Sequence, residues 1–184
     1  ILRSCYIKQA DVLQGLYMLE DQFDKDTIAR NFKFYEPLTV HESSLSASIH
    51  CILANSIGDY DLAYKMYLRT SRLDLDDYND DTDDGLHITS MGGTWMSIVE
   101  GFAGLRVQDN ILKLDPNLPS SWQGYSFRIV FRGIVLKISI SKSKTTIENN
   151  SSQSLSIKIG CKEILAEANK VTEFVAEWQE MAVM

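Results

Sequence analysis

Apolar residues recur every three or four positions through the first hundred residues, which places them on one face of an α-helix. The pattern predicts four helices, within residues 4–23, 43–58, 59–75 and 89–104. In the first of them, Ala10, Leu13 and Tyr17 share a face. Residues 24–40 are mixed in character, and Glu36 precedes a proline, which disfavours helical backbone. We therefore expect a turn or an extended connection there.

Polar residues stand where these helices are predicted to begin. A side-chain oxygen at such a position accepts hydrogen bonds from the free N–H groups of the first turn. The predicted N-caps are Ser43 or Ser44, Asp59, and Thr89 or Ser90. Gly58 is the predicted end of the second helix, because glycine adopts the left-handed conformation that ends many helices.

From about Leu105 the apolar positions alternate with polar ones, which is typical of strands with one buried face. The alternating stretches lie within residues 125–149, 154–160, 162–166 and 171–178. Glycine and asparagine residues between them are turn signals. This part is predicted to be an antiparallel β-module in the form of a sandwich, so the chain has an α-then-β organisation with parts 1–104 and 105–184.

Composition and charge narrow the class of protein. The chain has 184 residues, 45% of them hydrophobic, which is enough to bury a core. Its net charge of −7 and the lack of a basic stripe argue against nucleic acid or an anionic membrane surface as a partner. Three widely spaced cysteines are typical of reduced thiols, and no apolar run reaches the length of a membrane span. We expect a cytoplasmic protein.

The stretch DDTDDGLHITSMGGTW, residues 80–95, carries the main candidate site. It places His87, Thr89 and Ser90 at the predicted start of a helix, where free amides and the helix dipole favour an anion. A phosphate or a sugar oxygen would suit such a site. The alternative is a capped core helix whose two glycines, Gly92 and Gly93, allow close packing against another helix.

Two further segments carry candidate binding residues. The segment before the second helix again combines a histidine, His41, with hydroxyls, whereas His50 lies deep in an apolar run and is predicted to be a hydrogen-bonded core histidine. Lys8 and Gln9 are adjacent and would point about 100° apart on a helix, so they can serve one ligand only from its edge or first turn. Otherwise they are an ordinary solvated pair.

The acidic run LDLDDYNDDTDDG, residues 73–85, invites interpretation as a calcium site. Its spacing lacks the alternating acidic positions and the terminal glutamate of a calcium-binding loop. Asp and Asn favour turns with local side-chain-to-backbone hydrogen bonds. The run is therefore predicted to be a solvated loop.

Four segments resemble, in order and spacing, the C-terminal part of the inverting disaccharide phosphorylases of glycoside hydrolase family 65. They are IKQADVLQGLYMLEDQF, FYEPLTVHESSLS, LDLDDYNDDTDDGLHITSMGGTWMSIVEGF and LPSSWQGYSFRIVFRG. The match runs from about residue 5 to about residue 175. Within the family, the maltose-type members are the most similar.

The resemblance implies a longer enzyme with an N-terminal β-sandwich, a central (α/α)6 barrel and a small C-terminal β-domain. Residues 1–104 would be the last helices of the barrel, and residues 105–184 the C-terminal β-sandwich. The chain would then be a fragment whose partner is the missing N-terminal part of its own polypeptide. Family members are commonly homodimers.

The reaction implied by the resemblance is phosphorolysis of an α-glucoside with inversion, which gives β-glucose 1-phosphate and glucose from maltose. In an inverting mechanism a carboxylic acid protonates the leaving oxygen while the nucleophile enters from the opposite face. Inorganic phosphate would be that nucleophile and co-substrate, with no metal or organic cofactor. The general-acid glutamate is expected upstream of the KQADV segment, so the isolated chain holds no catalytic residue and is expected to be inactive.

The resemblance also assigns binding roles to residues. His87, Thr89 and Ser90 are implied phosphate contacts, and Ser43 and Ser44 are weaker candidates for the same role.

The sugar contacts lie in two of the matched segments. Lys8 and Gln9 match the Lys–Gln pair of the family that hydrogen-bonds the glucosyl unit. Glu42 lies in the HESSLS segment, where related specificities often carry Asp, so it is a candidate for acceptor selection.

Alternatives remain at three levels. Trehalose, kojibiose and nigerose are alternative substrates of the same reaction. An acid-trehalase-like hydrolase of the same fold would require a carboxylate base, where residues 85–91 offer a histidine and hydroxyls. A non-catalytic sugar-binding module would bind without turnover even with the missing part restored.

Overall fold

The computed structural model describes residues 4–175. These divide into two compact units, with the break between Gly101 and Phe102. Helices make up the first unit and mostly antiparallel sheets the second, which confirms the predicted α-then-β order. The barrel, the sandwich and the division at 104/105 stay predictions. The end of the last predicted strand, residues 176–178, lies outside the described residues.

Within the described part of the first unit there are five α-helices. They are α1 (Asp11–Met18), α2 (Lys25–Tyr35), α3 (Ser46–Ile57), α4 (Tyr60–Ser71) and α5 (Ile88–Met96). Helix α5 continues into a π-helical turn, Ser97–Phe102. Helix α3 is central: it packs against the four other helices, and its residues 46–55 are all buried. Among the described residues, no helix is both long and apolar enough to cross a membrane.

Helix α2 corrects the interpretation of residues 24–40 as a mixed connection. Ile28 and Phe32, one turn apart, are its buried face. Its N-cap is Asp24, whose Oδ1 accepts a hydrogen bond from the Thr27 N–H at 2.6 Å. A turn does follow α2, the 3-10 helix Glu36–Leu38, but the expectation that Glu36 leaves helical backbone is wrong, because its φ of −56° and ψ of −54° are helical.

Three predicted helix starts were wrong. Helix α1 begins at Asp11 and not near residue 4, so Lys8 and Gln9 precede it. Helix α3 begins at Ser46, with Leu45 in the N-cap position, so neither Ser43 nor Ser44 is its cap. The two serines lie three and two residues before the first helical residue, and Ser43 Oγ instead accepts from the Leu45 N–H at 3.3 Å.

The start of α5 is the third correction. His87 occupies its N-cap position, and Thr89 and Ser90 lie inside the first turn. The predicted boundary between α3 and α4 is confirmed: Gly58 ends α3 with φ of 83°, and Asp59 Oδ1 accepts from the Leu62 N–H at 3.2 Å.

The second unit contains two four-stranded sheets. Its strands are β1 (Arg106–Gln108), β2 (Ile111–Leu114), β3 (Gly124–Phe131), β4 (Ile134–Ser141), β5 (Lys144–Asn149), β6 (Leu155–Ile159), β7 (Lys162–Ala166) and β8 (Lys170–Val175). The strand orders are β1-β2-β6-β7 and β3-β4-β5-β8. The alternation predicted for β4 is present, with Ile134, Leu136, Ile138 and Ile140 buried.

One strand pair departs from the predicted antiparallel pattern. Strands β2 and β6 are parallel, with Leu112 opposite Ile157. Parallel neighbours require a long connection, and here the chain builds β3, β4 and β5 of the other sheet before it returns as β6. Strand β2 lies outside the four alternating stretches that were predicted to be strands.

Candidate functional site

The two segments that combine a histidine with hydroxyls meet at the start of α5. Ser44 Oγ and Thr89 Oγ1 are 2.7 Å apart. Nearby lies a small, partly open depression with room for about one water molecule. Its lining includes His41, Ser43, Ser44, Arg69, Thr70 and Ser90. The structure therefore brings together three of the five predicted phosphate contacts, Ser43, Ser44 and Ser90, in one place, with Thr89 in contact with one of them.

The Lys8–Gln9 segment is fixed beside residues 38–40, which lead to His41. The Ile7 N–H donates to the Leu38 carbonyl, and the Val40 N–H donates to the Ile7 carbonyl, both at 2.9 Å. Lys8 is exposed, and Gln9 Nε2 donates to Asp11 Oδ1 at 2.9 Å. Both residues therefore sit on a non-helical segment, not on the edge of a helix.

His87 lies between two carboxylates of the acidic run. Its Nδ1 is 2.6 Å from Asp74 Oδ1, and its backbone N–H donates to Asp74 Oδ2 at 2.9 Å. Its Nε2 is 3.4 Å from Asp81 Oδ2. The hydrogen bond to Asp74, together with the charges of Asp81 and Asp74, raises the pKa of His87. The acidic run was predicted to be a solvated loop, but two of its carboxylates hold this ring.

Ser90 is engaged inside the helical unit. It is buried, and its Oγ donates to the Thr70 carbonyl at 2.5 Å. Since the hydroxyl proton is used there, the Oγ can offer an incoming ligand only acceptor lone pairs. A phosphate contact through Ser90 stays a prediction, and its observed contact joins α5 to α4.

Of the two glycines of α5, Gly93 is required for close helix packing and Gly92 is not. A Cβ on Gly93 would lie 2.8 Å from Cβ and Oγ of Ser48 on α3. Such a contact is too close, so Gly93 serves helix packing, as the alternative interpretation held. A Cβ on Gly92 would meet nothing within 4 Å.

Arg69 is the residue of this region that the sequence did not indicate. Its Nη2 donates to the His41 carbonyl at 2.9 Å, and its guanidinium lies 5.3 Å from the centre of the Tyr78 ring. It supplies a fixed positive charge to the lining of the depression. No local signal distinguishes it from the other basic residues of α4, because its role depends on the fold of residues 39–45.

The two histidines near the depression are neutral at pH 7. Burial lowers the pKa of His41 to about 4, and repulsion from a protonated His50 and from the positive charges of Arg69 and Lys65 acts in the same direction. Burial lowers the pKa of His50 to about 4 as well. His50 Nδ1 donates to the Ser46 carbonyl at 3.0 Å, which confirms the predicted core histidine.

The arrangement is chemically suited to an oxyanion beside sugar hydroxyls. Ser43, Ser44 and Thr89 offer hydroxyls, and Arg69 offers a guanidinium. The N-terminus of α5 adds partial positive charge. Glu42 is exposed next to this group and can accept hydrogen bonds from a sugar. Among the described residues, no group of three or more His, Cys, Asp or Glu side chains is placed to hold a metal ion.

Comparison with known protein families identifies the family to which this chain belongs. Residues 1–96 match the central catalytic domain of glycosyl hydrolase family 65, and residues 105–165 match the C-terminal domain of the same family. This chain belongs to glycosyl hydrolase family 65.

Individual relatives are disaccharide phosphorylases by name. The chain is 51% identical to maltose phosphorylase of Bacillus subtilis over 80% of its own length, and 40% identical to α,α-trehalose phosphorylase of Thermoanaerobacter brockii over 93%. It is 40% identical to kojibiose phosphorylase of Halothermothrix orenii over 80%. These matches cover 20%, 22% and 19% of the relatives, so the chain spans about a fifth of their length.

A solved structure supports the fold over almost the whole chain. It is that of a human-microbiome protein with a provisional kojibiose phosphorylase assignment. The TM-score is 0.90 at 36% identity, and the match covers 97% of this chain and 26% of that one.

Proposed function

We propose that this chain is the C-terminal part of an inverting phosphorylase of α-linked glucose disaccharides, with maltose as its substrate. The reaction is maltose plus phosphate to β-glucose 1-phosphate plus glucose. The names of the relatives support phosphorolysis, and the 51% identity to a maltose phosphorylase favours maltose over trehalose and kojibiose. The helices would complete an (α/α)6 barrel, and the two sheets would form the C-terminal β-sandwich.

The observation that carries this proposal is the contact between Ser44 and Thr89 at the start of α5. It joins two segments that are distant in sequence into one group of hydroxyls. The bridge between Ile7 and Thr39 holds the Lys8–Gln9 segment beside the extended residues that lead to this group of hydroxyls. A phosphate site next to a glucosyl site is what attack by phosphate on a glycosidic carbon requires.

In this proposal each group has a stated task. Ser43, Ser44 and Thr89 contact phosphate. One hydroxyl of the Ser44–Thr89 pair donates to the other, so that pair offers one donor to phosphate and Ser43 offers a second. The His87 imidazolium adds a charge-assisted hydrogen bond. Ser90 belongs to the same site and anchors α5 through Thr70.

The sugar units are bound by a second set of residues. Lys8 and Gln9 bind the glucosyl unit, and Glu42 contacts the acceptor sugar. The general acid, a glutamate, lies in the part of the polypeptide that precedes this chain. Phosphate is the co-substrate, and neither a metal nor an organic cofactor takes part. The whole enzyme is proposed to be a cytoplasmic homodimer.

The test is to incubate the full-length protein with maltose, with and without inorganic phosphate, and to follow glucose and glucose 1-phosphate. The proposal expects glucose 1-phosphate in the β form, only when phosphate is present. Equal release of glucose without phosphate would indicate a hydrolase. No turnover of maltose, trehalose, kojibiose or nigerose would indicate a binding module.

A further inference from the structure

The acidic run holds the imidazole of His87 asymmetrically. Asp74 makes two short contacts with the residue, one to the ring Nδ1 at 2.6 Å and one to the backbone N–H at 2.9 Å. Asp81 approaches the opposite ring nitrogen only to 3.4 Å. Charge-assisted hydrogen bonds are normally 2.7–2.9 Å long. The Nδ1 atom therefore makes a short hydrogen bond, whereas the distance from Nε2 to Asp81 is longer than that of a normal charge-assisted hydrogen bond.

Asp74 is well placed to orient the ring. Its side chain is 14% exposed, compared with 36% for Asp81, so it is the more buried of the two carboxylates. One of its oxygens fixes the main chain at the N-cap position of α5, and the other fixes the ring of the same residue. The direction of Nε2 therefore follows from the position of Asp74.

Asp81 is held in place by its own loop. Asp77 Oδ1 accepts hydrogen bonds from the N–H groups of Asp81 at 3.2 Å and Thr82 at 3.1 Å. These bonds fix the backbone at Asp81, and its carboxylate oxygen lies 3.4 Å from Nε2, where it is an oxygen anion facing an imidazolium. An external oxyanion that binds Nε2 must take this position.

We propose that Asp74 is a positioning residue that presents Nε2 of His87 to phosphate, and that Asp81 is an internal anion that phosphate displaces from the same nitrogen. The inference rests on the proposed phosphate role of His87 and deepens it. The charged side chains that act on the ring are Asp74 and Asp81. Both carboxylates raise the pKa of His87, but only Asp81 occupies the ring nitrogen that phosphate would bind, so Asp74 prepares the donor and Asp81 competes for it.

The test measures binding of inorganic phosphate to the full-length protein by titration calorimetry. Asp74→Asn is expected to raise the Kd about tenfold, as loss of a charged hydrogen-bond partner does. Asp81→Asn is expected to lower the Kd roughly threefold, in the range of a half-exposed ion pair. Asp83→Asn is the matched control, because it removes one charge from the same loop on an exposed residue and should change the Kd little.

The pH dependence of phosphate binding distinguishes a positioning role of Asp74 from a general loss of folding. The Asp74 carboxylate raises the pKa of His87, so the imidazolium persists to higher pH. In Asp74→Asn the loss of phosphate affinity with rising pH should begin at lower pH than in the unmodified protein. The ionisation of phosphate itself is common to both proteins. A misfolded variant cannot produce the tighter binding expected of Asp81→Asn.

The outcomes distinguish this inference from the proposed function. An unchanged Kd in Asp74→Asn, or a weaker affinity in Asp81→Asn, would overturn the inference. If His87→Asn nevertheless lost phosphate binding, the proposed phosphate role of His87 would stand. If Asp83→Asn matched Asp81→Asn, the effect would be general electrostatics and the inference would fail. If the unmodified protein bound no phosphate and formed no glucose 1-phosphate, both the inference and the proposed function would fail.

Discussion

His87 combines a raised pKa with partial burial, and this distinguishes it from the two other histidines. Its side chain is 24% exposed and faces carboxylates, whereas His41 and His50 are held neutral by burial. A protonated imidazole is a stronger donor to an oxyanion than a neutral one. Of the three histidines, His87 is therefore the one suited to binding phosphate near neutral pH.

Replacing His87 by Ala in the full-length enzyme should raise the KM for phosphate at least several-fold, because a charge-assisted hydrogen bond is lost. The effect should shrink as pH rises through the raised pKa of His87, since the unmodified ring then also loses its charge. The measurement is the rate at varied phosphate and saturating maltose. Leu86→Ala, at the exposed neighbouring position, is the control. An unchanged dependence on phosphate would remove His87 from the site.

Gln9→Ala should reduce turnover of every glucoside that the enzyme uses, because the glucosyl unit is common to all of them. The assay compares maltose, trehalose and kojibiose at saturating phosphate. Since Gln9 Nε2 donates to Asp11, Asp11→Asn serves as the control for loss of that contact alone. A defect confined to one linkage would place Gln9 at the acceptor sugar instead.

Sequence reasoning identified His87 but not its partners. The Asp74 contact joins residues thirteen positions apart across a loop, and nothing in an acidic run marks which carboxylate turns inward. Arg69 was missed for a similar reason, because its partner is a carbonyl in another segment. Local patterns indicate which residue types are present, whereas the contacts that select among them are tertiary.

At the scale of elements, α5 depends on close approach to α3. The contact lies at Gly93 and Ser48, where the Ser48 side chain packs directly against the backbone of α5. Ser90 adds the hydrogen bond to α4, so the helix that begins at the candidate site is fixed on two sides.

Gly93→Ala should destabilise the protein by about 1–3 kcal/mol, since the added methyl group would overlap Ser48. Gly92→Ala is the matched control. It adds the same methyl group to the same helix in open space and should be neutral or stabilising by up to about 1 kcal/mol. Thermal unfolding of the two variants is the measurement. Equal effects would mean that the α3–α5 contact does not limit stability.

Helix α2 depends on its N-cap. The hydrogen bond from the Thr27 backbone lowers the pKa of Asp24, so the cap stabilises α2 above the unfolded pKa of the carboxyl group and is lost as pH falls through the lowered folded value. Asp24→Ala should therefore lower Tm at neutral pH and have little effect in acid. Asp26→Ala, in the same first turn, is the control. A Tm difference that persisted unchanged in acid would contradict the capping role.

Elements were predictable where the signal is local. The pair Gly58 and Asp59 and the alternation of β4 each require only a few adjacent residues, and these predictions are confirmed. Helix α2 was missed because only Ile28 and Phe32 are buried in a mostly polar segment. The pairing of β2 with β6 was unpredictable for another reason, because which strands pair depends on how all the strands of the unit pack together.

At the scale of the whole molecule, the proposed function assigns binding groups to this chain and the acid catalyst to another part of the polypeptide. The 184-residue chain alone should therefore form no glucose 1-phosphate from maltose and phosphate, whereas the full-length protein should. Both are assayed under the same conditions, with circular dichroism to establish that the shorter chain is folded. Turnover by the folded short chain would place the general acid among its own carboxylates and contradict the proposed division of roles.

The parallel pairing of β2 with β6 bears on how the second unit acquires its structure during synthesis. Strand β2 leaves the ribosome early, but its partner follows only after β3, β4 and β5 have been made. Contacts between residues distant in sequence form slowly. The β3–β5 meander can therefore assemble first, while the β1–β2 hairpin waits with an unpaired edge. A nascent chain stalled before Leu155 should be the most aggregation-prone intermediate of this unit.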